Sequence, residues 1–186
     1  MSKLALDFGL NIAQRTSRTR WLTLFATTIA LTALSLTIPI NSPIVSVANS
    51  VGSIALHTTL LMGALFLLLR YDQLPAGGIT TVVTIHTAIL SMVAGAFGLL
   101  PLFMLSAAAG DVLLYNWKRA DFGRITYYIL GAALPLLLFS NYFALLFAFG
   151  RLTWSIPMTL AAIGVAELCG LMMALLAFPP IKGGVR

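Results

Sequence analysis

The stretch ITYYILGAALPLLLFSNYFALLFAF, Ile125 to Phe149, contains no Asp, Glu, Lys, Arg or His. A helix needs about 20 mostly apolar residues to cross the hydrocarbon core of a bilayer, and this run exceeds that length without a charge. It reads as a membrane span. Working outward along the chain, five further runs have the same character: Trp21 to Ile40, about Val51 to Leu69, Ile79 to Phe97, about Leu99 to Trp117, and Ile156 to Phe178. The expected fold is an all-α integral membrane protein of six transmembrane helices.

Composition agrees. The 186 residues are 60% hydrophobic and 9% charged, with a mean hydropathy of +1.00. A soluble domain carries about 25% charged residues, so this chain has too little polar surface to coat a globule in water. The breaks between runs are chemically marked. Pro39, Asn41, Ser42 and Pro43 end the first run, and the polar segment from Arg70 to Gly78 separates the second from the third. Gly98 to Pro101 is a tight hairpin, with Pro101 suited to an early helical position. Lys118 to Arg124 is the most charged loop, Gly150, Arg151 and Pro157 bound the next gap, and Pro179 with Pro180 stop the last helix.

The net charge is +6 and the pI about 10.0. The basic residues sit at the ends of apolar runs, so topology explains them before nucleic acid does. With the N-terminus inside, Lys3, Arg15, Arg18, Arg20, Arg70, Lys118, Arg119, Arg124, Lys182 and Arg186 are all cytoplasmic, and Arg151 alone faces out. That asymmetry is the positive-inside pattern of a six-span protein with both termini in the cytoplasm. Trp21, Tyr71, Trp117 and Trp154 fall at span ends, as an interfacial aromatic belt requires. The division expected is a basic cytoplasmic segment over 1–20, a six-helix domain over 21–178 and a short cytoplasmic tail over 179–186, in the plasma (inner) membrane. Residues 1–20 do not read as a cleavable signal, because the basic cluster precedes a full-length span. Leu4, Phe8 and Ile12 share one helical face, which suits a helix on the inner leaflet; a frayed tail is the alternative.

Ionisable residues inside a bilayer are costly and mark functional or structural contacts. His57, His86, Asp111 and Glu167 fall within the runs. With a hairpin turning near Gly98, His86 and Asp111 come out at similar depths, about 18–20 Å from the outer surface. Glu167 comes out about 16 Å deep, and His57 about 9 Å. His86, Asp111 and Glu167 are therefore a candidate intramembrane polar cluster: a metal site of one imidazole and two carboxylates, a proton relay, a pocket for a polar solute, or separate hydrogen-bonded structural groups. Haem held by His57 and His86 is disfavoured by their depth difference of about 9 Å.

Small residues at four-residue spacing let helices approach closely. Ala26 with Ala30, and Ala162, Ala166 and Gly170, form such stripes, as do Ala94 with Gly98 and Ser106 with Gly110. The single cysteine, Cys169, has no intrachain disulfide partner and reads as packing. No GxSxG, HExxH, P-loop or GxGxxG motif is present. The sequence calls for no catalysis and no cofactor.

Six helices in about 190 residues, Ala26-Thr-Thr-Ile-Ala30 in the first run and Ala107-Ala-Ala-Gly-Asp-Val-Leu-Leu114 in the fourth together resemble the substrate-binding S components of energy-coupling factor vitamin transporters. The resemblance implies a membrane subunit that binds a small solute from outside. Its Ala-xxx-Ala motif would meet a coupling subunit, and partner ATPases would supply the energy. Asn41, Asn49 and His57, with Asn141, Tyr142, Arg151 and Trp154, are then the candidate ligand contacts at the outer face. The loop from Asn41 to Ser50 departs from the pattern, being shorter than the lid usual there. The rival expectation is a non-catalytic structural or assembly subunit of a larger membrane complex, and a third is proton- or metal-linked transport through the buried cluster. The partners expected are the lipid bilayer, other membrane subunits and a small-molecule ligand, and not nucleic acid; the third reading would act autonomously.

Overall fold

A computed structural model describes residues 3–37, 47–94, 100–119, 123–148 and 155–180. The described chain is helical, with no strand among the described residues. Its elements are α1 (Lys3–Leu36), α2 (Val47–Arg70), α3 (Gly78–Ala94), α4 (Leu100–Arg119), α5 (Ile125–Ala148) and α6 (Ile156–Ala177). Four of them contain stretches long and apolar enough to cross a membrane: Ser17–Leu36 in α1, Val51–Arg70 in α2, and α5 and α6 throughout. The other two, α3 and α4, are shorter or carry charge. The basic N-terminal segment is continuous with the first apolar run, since α1 does not break at Trp21.

The helices close into a ring in the order α1, α2, α6, α5, α4, α3, with α3 returning to α1. The last helix is thus wedged between α2 and α5 rather than added at an edge. Its sequence explains this. Thr159, Ala162, Ala166, Gly170 and Ala174 line one face and are buried, and small side chains permit close backbone approach. The opposite face carries Leu160, Leu168, Met172 and Leu176, all more than half exposed. Leu22, Ile29, Leu56, Leu67, Leu105 and Phe147 are exposed in the same way on other helices. An apolar exterior on this scale suits lipid, not water.

The tightest crossing joins α5 to α6. Pro135 lies inside α5 and has no N–H, so the carbonyl of Gly131 loses its usual helical partner. That carbonyl points at Gly170: a Cβ on Gly170 would stand 2.1 Å from the Gly131 oxygen and 2.6 Å from Pro135 Cγ. A Cβ on Gly131 would in turn stand 2.8 Å from the Gly170 oxygen. Two bare glycines therefore face each other where proline has freed a carbonyl, and the Cα–H groups of Gly170 are weak donors to it.

The end of α6 is clasped to the start of α5. Tyr128 donates its hydroxyl hydrogen to the Phe178 carbonyl at 2.6 Å, and Arg124 donates to the Pro179 carbonyl. The Phe178 ring stacks on Tyr127 with centroids 3.9 Å apart and meets Phe66 edge-on. Tyr128→Phe should cost about 1 kcal/mol, the net value of one such bond, read as a lower denaturation midpoint in a detergent titration. On the same side, Asp72 adopts φ 54 in the α2–α3 turn and pairs with Arg20 of α1. This pair is exposed and holds α1 against the turn only weakly.

Candidate functional site

The buried polar side chains are unevenly distributed. Among the described residues they are Thr28, Thr32, Ser35, Ser53, His57, Thr58, His86, Ser106, Thr126 and Thr159. All but Thr126 lie at or beyond mid-helix, toward the end where α1 and α3 finish and α2, α4 and α6 begin. The other half of the interior is apolar, built from Leu65, Phe66, Leu69, Leu74, Ile79, Val82, Val83, Leu114 and Leu130.

Hydroxyls supply most of this polarity, and helical geometry fixes their hydrogens. Thr28 donates to the Leu24 carbonyl at 2.7 Å and Thr32 to that of Thr28 at 2.8 Å. Thr58 donates to Ile54 and Ser106 to Leu102, at 2.8 and 2.9 Å. These are back-bonds to the preceding turn; they leave oxygen lone pairs facing the interior. His86 meets one of them, its Nδ1 lying 3.3 Å from Thr32 Oγ1. His57 sets its Nδ1 2.8 Å from the Ser53 carbonyl. The His57 Nε2 and the Ser35 hydroxyl are buried without a hydrogen-bond partner. Leaving such a group unsatisfied costs about 1–3 kcal/mol.

Asp111 is placed elsewhere. Its Oδ1 accepts the Ile79 N–H at 3.1 Å. Its Oδ2 accepts the Thr80 N–H at 2.8 Å and the Thr80 hydroxyl at 2.6 Å. Ile79 and Thr80 form the first turn of α3, whose N–H groups lack helical partners and whose dipole favours a negative charge. Asp111 therefore caps α3 from the neighbouring helix. Gly110 faces both neighbours closely, since a Cβ there would stand 3.5 Å from Ile79 of α3 and 3.3 Å from Leu134 of α5. His86 lies seven residues further along α3, about 10 Å up the axis.

Asp111 thus bonds the start of α3 rather than His86. No three His, Cys, Asp or Glu among the described residues are grouped to hold a metal ion. The physical reason is register. Asp111 lies level with Ile79 and Thr80 rather than with His86, because the carboxylate is drawn to the free N–H groups at the start of α3. Glu167 is half-buried beside the small-residue stripe of α6. His57 and His86 are both buried in the polar half of the interior.

Asn141 donates to the Ser106 hydroxyl oxygen at 2.6 Å, tying α5 to α4. Tyr142 packs its ring against Phe103 of α4, centroids 6.2 Å apart. Asn49 lies in the first turn of α2; Asn41, Arg151 and Trp154 lie outside the described residues. Ala162, Ala166 and Gly170 are buried, whereas Ala26 and Ala30 are exposed on α1. The contributors that charge-counting overlooks are Thr28, Thr32 and Ser35. Their spacing of four and three residues along the first run puts them on one helical face, and that was the available signal. No family model, curated protein or solved structure matches the chain.

Proposed function

We propose that this chain is a membrane-embedded solute-binding subunit of a transporter, spanning the bilayer six times with both termini inside and binding a small molecule in its outer half without catalysis. With that orientation the polar half of the interior is the outer half. One observation carries the reading: buried, incompletely satisfied polar groups gather on α1, α2 and α3, where His57 Nε2 and Ser35 Oγ lack partners. A bound solute would supply those partners. The apolar half beyond it would seal the inner side. Exposed Ala26 and Ala30 would serve contact with a second subunit, as the resemblance implies.

The test is purification of the full chain in mild detergent, with mass spectrometry of co-purifying proteins and extracted small molecules. The expected result is a stoichiometric solute, reduced about tenfold or more in His57→Phe and His86→Phe, as when a buried polar contact of 1.4 kcal/mol or more is lost. Recovery in a large complex without a solute would instead make the chain a structural subunit. The half-buried Glu167 in the middle of α6 favours that second reading, since an acid at such a depth asks for a neighbouring donor.

A further inference from the structure

Glu167 is the one acidic residue of α6. The helix is long and apolar enough to cross a bilayer from Ile156 to Ala177. Glu167 then lies about 15 Å from either end, at the middle of a hydrocarbon core about 30 Å thick. Its side chain is half-buried and makes no hydrogen bond or ion pair among the described residues. An acid at this depth is costly unless it is protonated or paired.

The chain's own side chains do not answer it. Lysines and arginines lie at the ends of the apolar stretches or outside them, and long basic side chains near span ends extend toward the interface rather than inward. His57 and His86 are buried in the ring, and the bonds their Nδ1 atoms make are to the Ser53 carbonyl and Thr32. Thr159 of α6 has given its hydroxyl hydrogen to the Ser155 carbonyl. The part of α5 that crosses α6 near this level, Gly131 to Leu138, has no side-chain donor. A second copy of the chain would bring another carboxyl to the same depth, not a cation.

The surface beside Glu167 is shaped for a helix. Gly164, three residues earlier, falls on the same side of α6, and a Cβ there would meet nothing within 4 Å. Leu160 and Leu168 flank it and are 63% and 60% exposed. A glycine open to the outside between apolar side chains lets a second membrane helix approach closely.

We propose that the face of α6 carrying Gly164 and Glu167 docks a membrane helix of another protein, one with a basic side chain near its middle. Glu167 pairs with that cation, and Gly164 makes room for the partner's backbone. The contact goes beyond solute binding: a transporter subunit and a structural subunit would both use it.

The experiment places the full chain, donor-labelled at its C-terminus, in phosphatidylcholine vesicles with an acceptor-labelled leucine-rich transmembrane helix bearing one central Lys. Energy transfer reads association. The Lys helix should bind about tenfold more tightly than the same helix with Leu or Glu at that position, the size of one good interhelical polar contact. Glu167→Leu should erase this preference, and Glu167→Gln, which keeps an acceptor without the charge, should remove most of it. Gly164→Val should weaken binding of the Lys helix about threefold or more while its thermal melt in detergent matches that of the unaltered chain. Glu167→Leu should melt no lower than the unaltered chain, since it removes an acid left unpaired in the isolated chain. Equal binding of the Lys and Leu helices, or a Lys preference that survives Glu167→Leu, overturns the proposal. A Glu167→Leu chain that melts well below the unaltered one also overturns it, by making the carboxyl an internal structural group. Energy transfer between two copies of the full chain, lost in Glu167→Leu, would make the occupant a second copy and overturn it as well.

Discussion

Gly170→Val should separate α6 from α5 and cost about 3 kcal/mol or more, the upper range for forced overpacking. The added Cβ would lie 2.1 Å from the Gly131 carbonyl oxygen, which is backbone and cannot rotate aside. Even Gly170→Ala adds that atom. The control is Gly164→Val on the same helix, where a Cβ meets nothing within 4 Å. Both variants trade a glycine for a β-branched residue, so any difference belongs to the crossing and not to helix propensity. Denaturant titrations in detergent, followed by circular dichroism, give the comparison. Equal midpoints for the two variants would mean that this crossing does not hold the bundle together. Gly131→Val should behave as Gly170→Val does, since its Cβ would press on the Gly170 oxygen at 2.8 Å and the Ala174 methyl at the same distance.

The second large effect is at Asp111. Asp111→Ala removes acceptors from two backbone N–H groups and one hydroxyl. Hydrogen bonds to a charged group are worth about 1.5–3 kcal/mol, and loss of a helix N-cap alone costs about 0.5–2 kcal/mol. A total near 3 kcal/mol follows. Asp111→Asn should lose less, because its single carbonyl oxygen can still cap one N–H, while its NH₂ faces the other donor. Hydrogen exchange localises the effect: the amides of Ile79 and Thr80 should lose protection in Asp111→Ala before those of mid-helix residues such as Val83. Unchanged exchange at the start of α3 would remove Asp111 from its capping role. Variants that fold normally but lose solute binding would place the carboxylate in the site instead.

Length and hydrophobicity made the helices legible. The run read as Ile156 to Phe178 is α6, ending at Ala177, and that read as Ile125 to Phe149 is α5, ending at Ala148. Apolar length is set by one dimension of the bilayer, so it can be counted along a sequence. The stripe Ala162, Ala166 and Gly170 was legible for the same kind of reason, since four-residue spacing fixes a face. What could not be counted was register between helices. Asp111 looked level with His86 under a symmetric turn; the free N–H groups at the start of α3 drew it elsewhere. Nor does spacing within one helix say which face turns inward. Thr28, Thr32 and Ser35 share a face by spacing, but only the packing of α1 against α2 and α3 makes that face interior. Gly131 and Gly170 illustrate the limit most directly. A proline four residues after a glycine signals a freed carbonyl, but not which helix will cover it.

The wedged position of α6 has a consequence for biogenesis. In chain order this helix follows the other five, yet it fills the gap between α2 and α5. Until it is released, the nascent chain holds an open arc of five helices whose most closely packed faces are uncovered, and α5 carries into the lipid a carbonyl that its own backbone cannot satisfy. Closure therefore waits on the emergence of α6. A chain arrested before α6 would present to membrane quality control the surfaces that the finished ring hides.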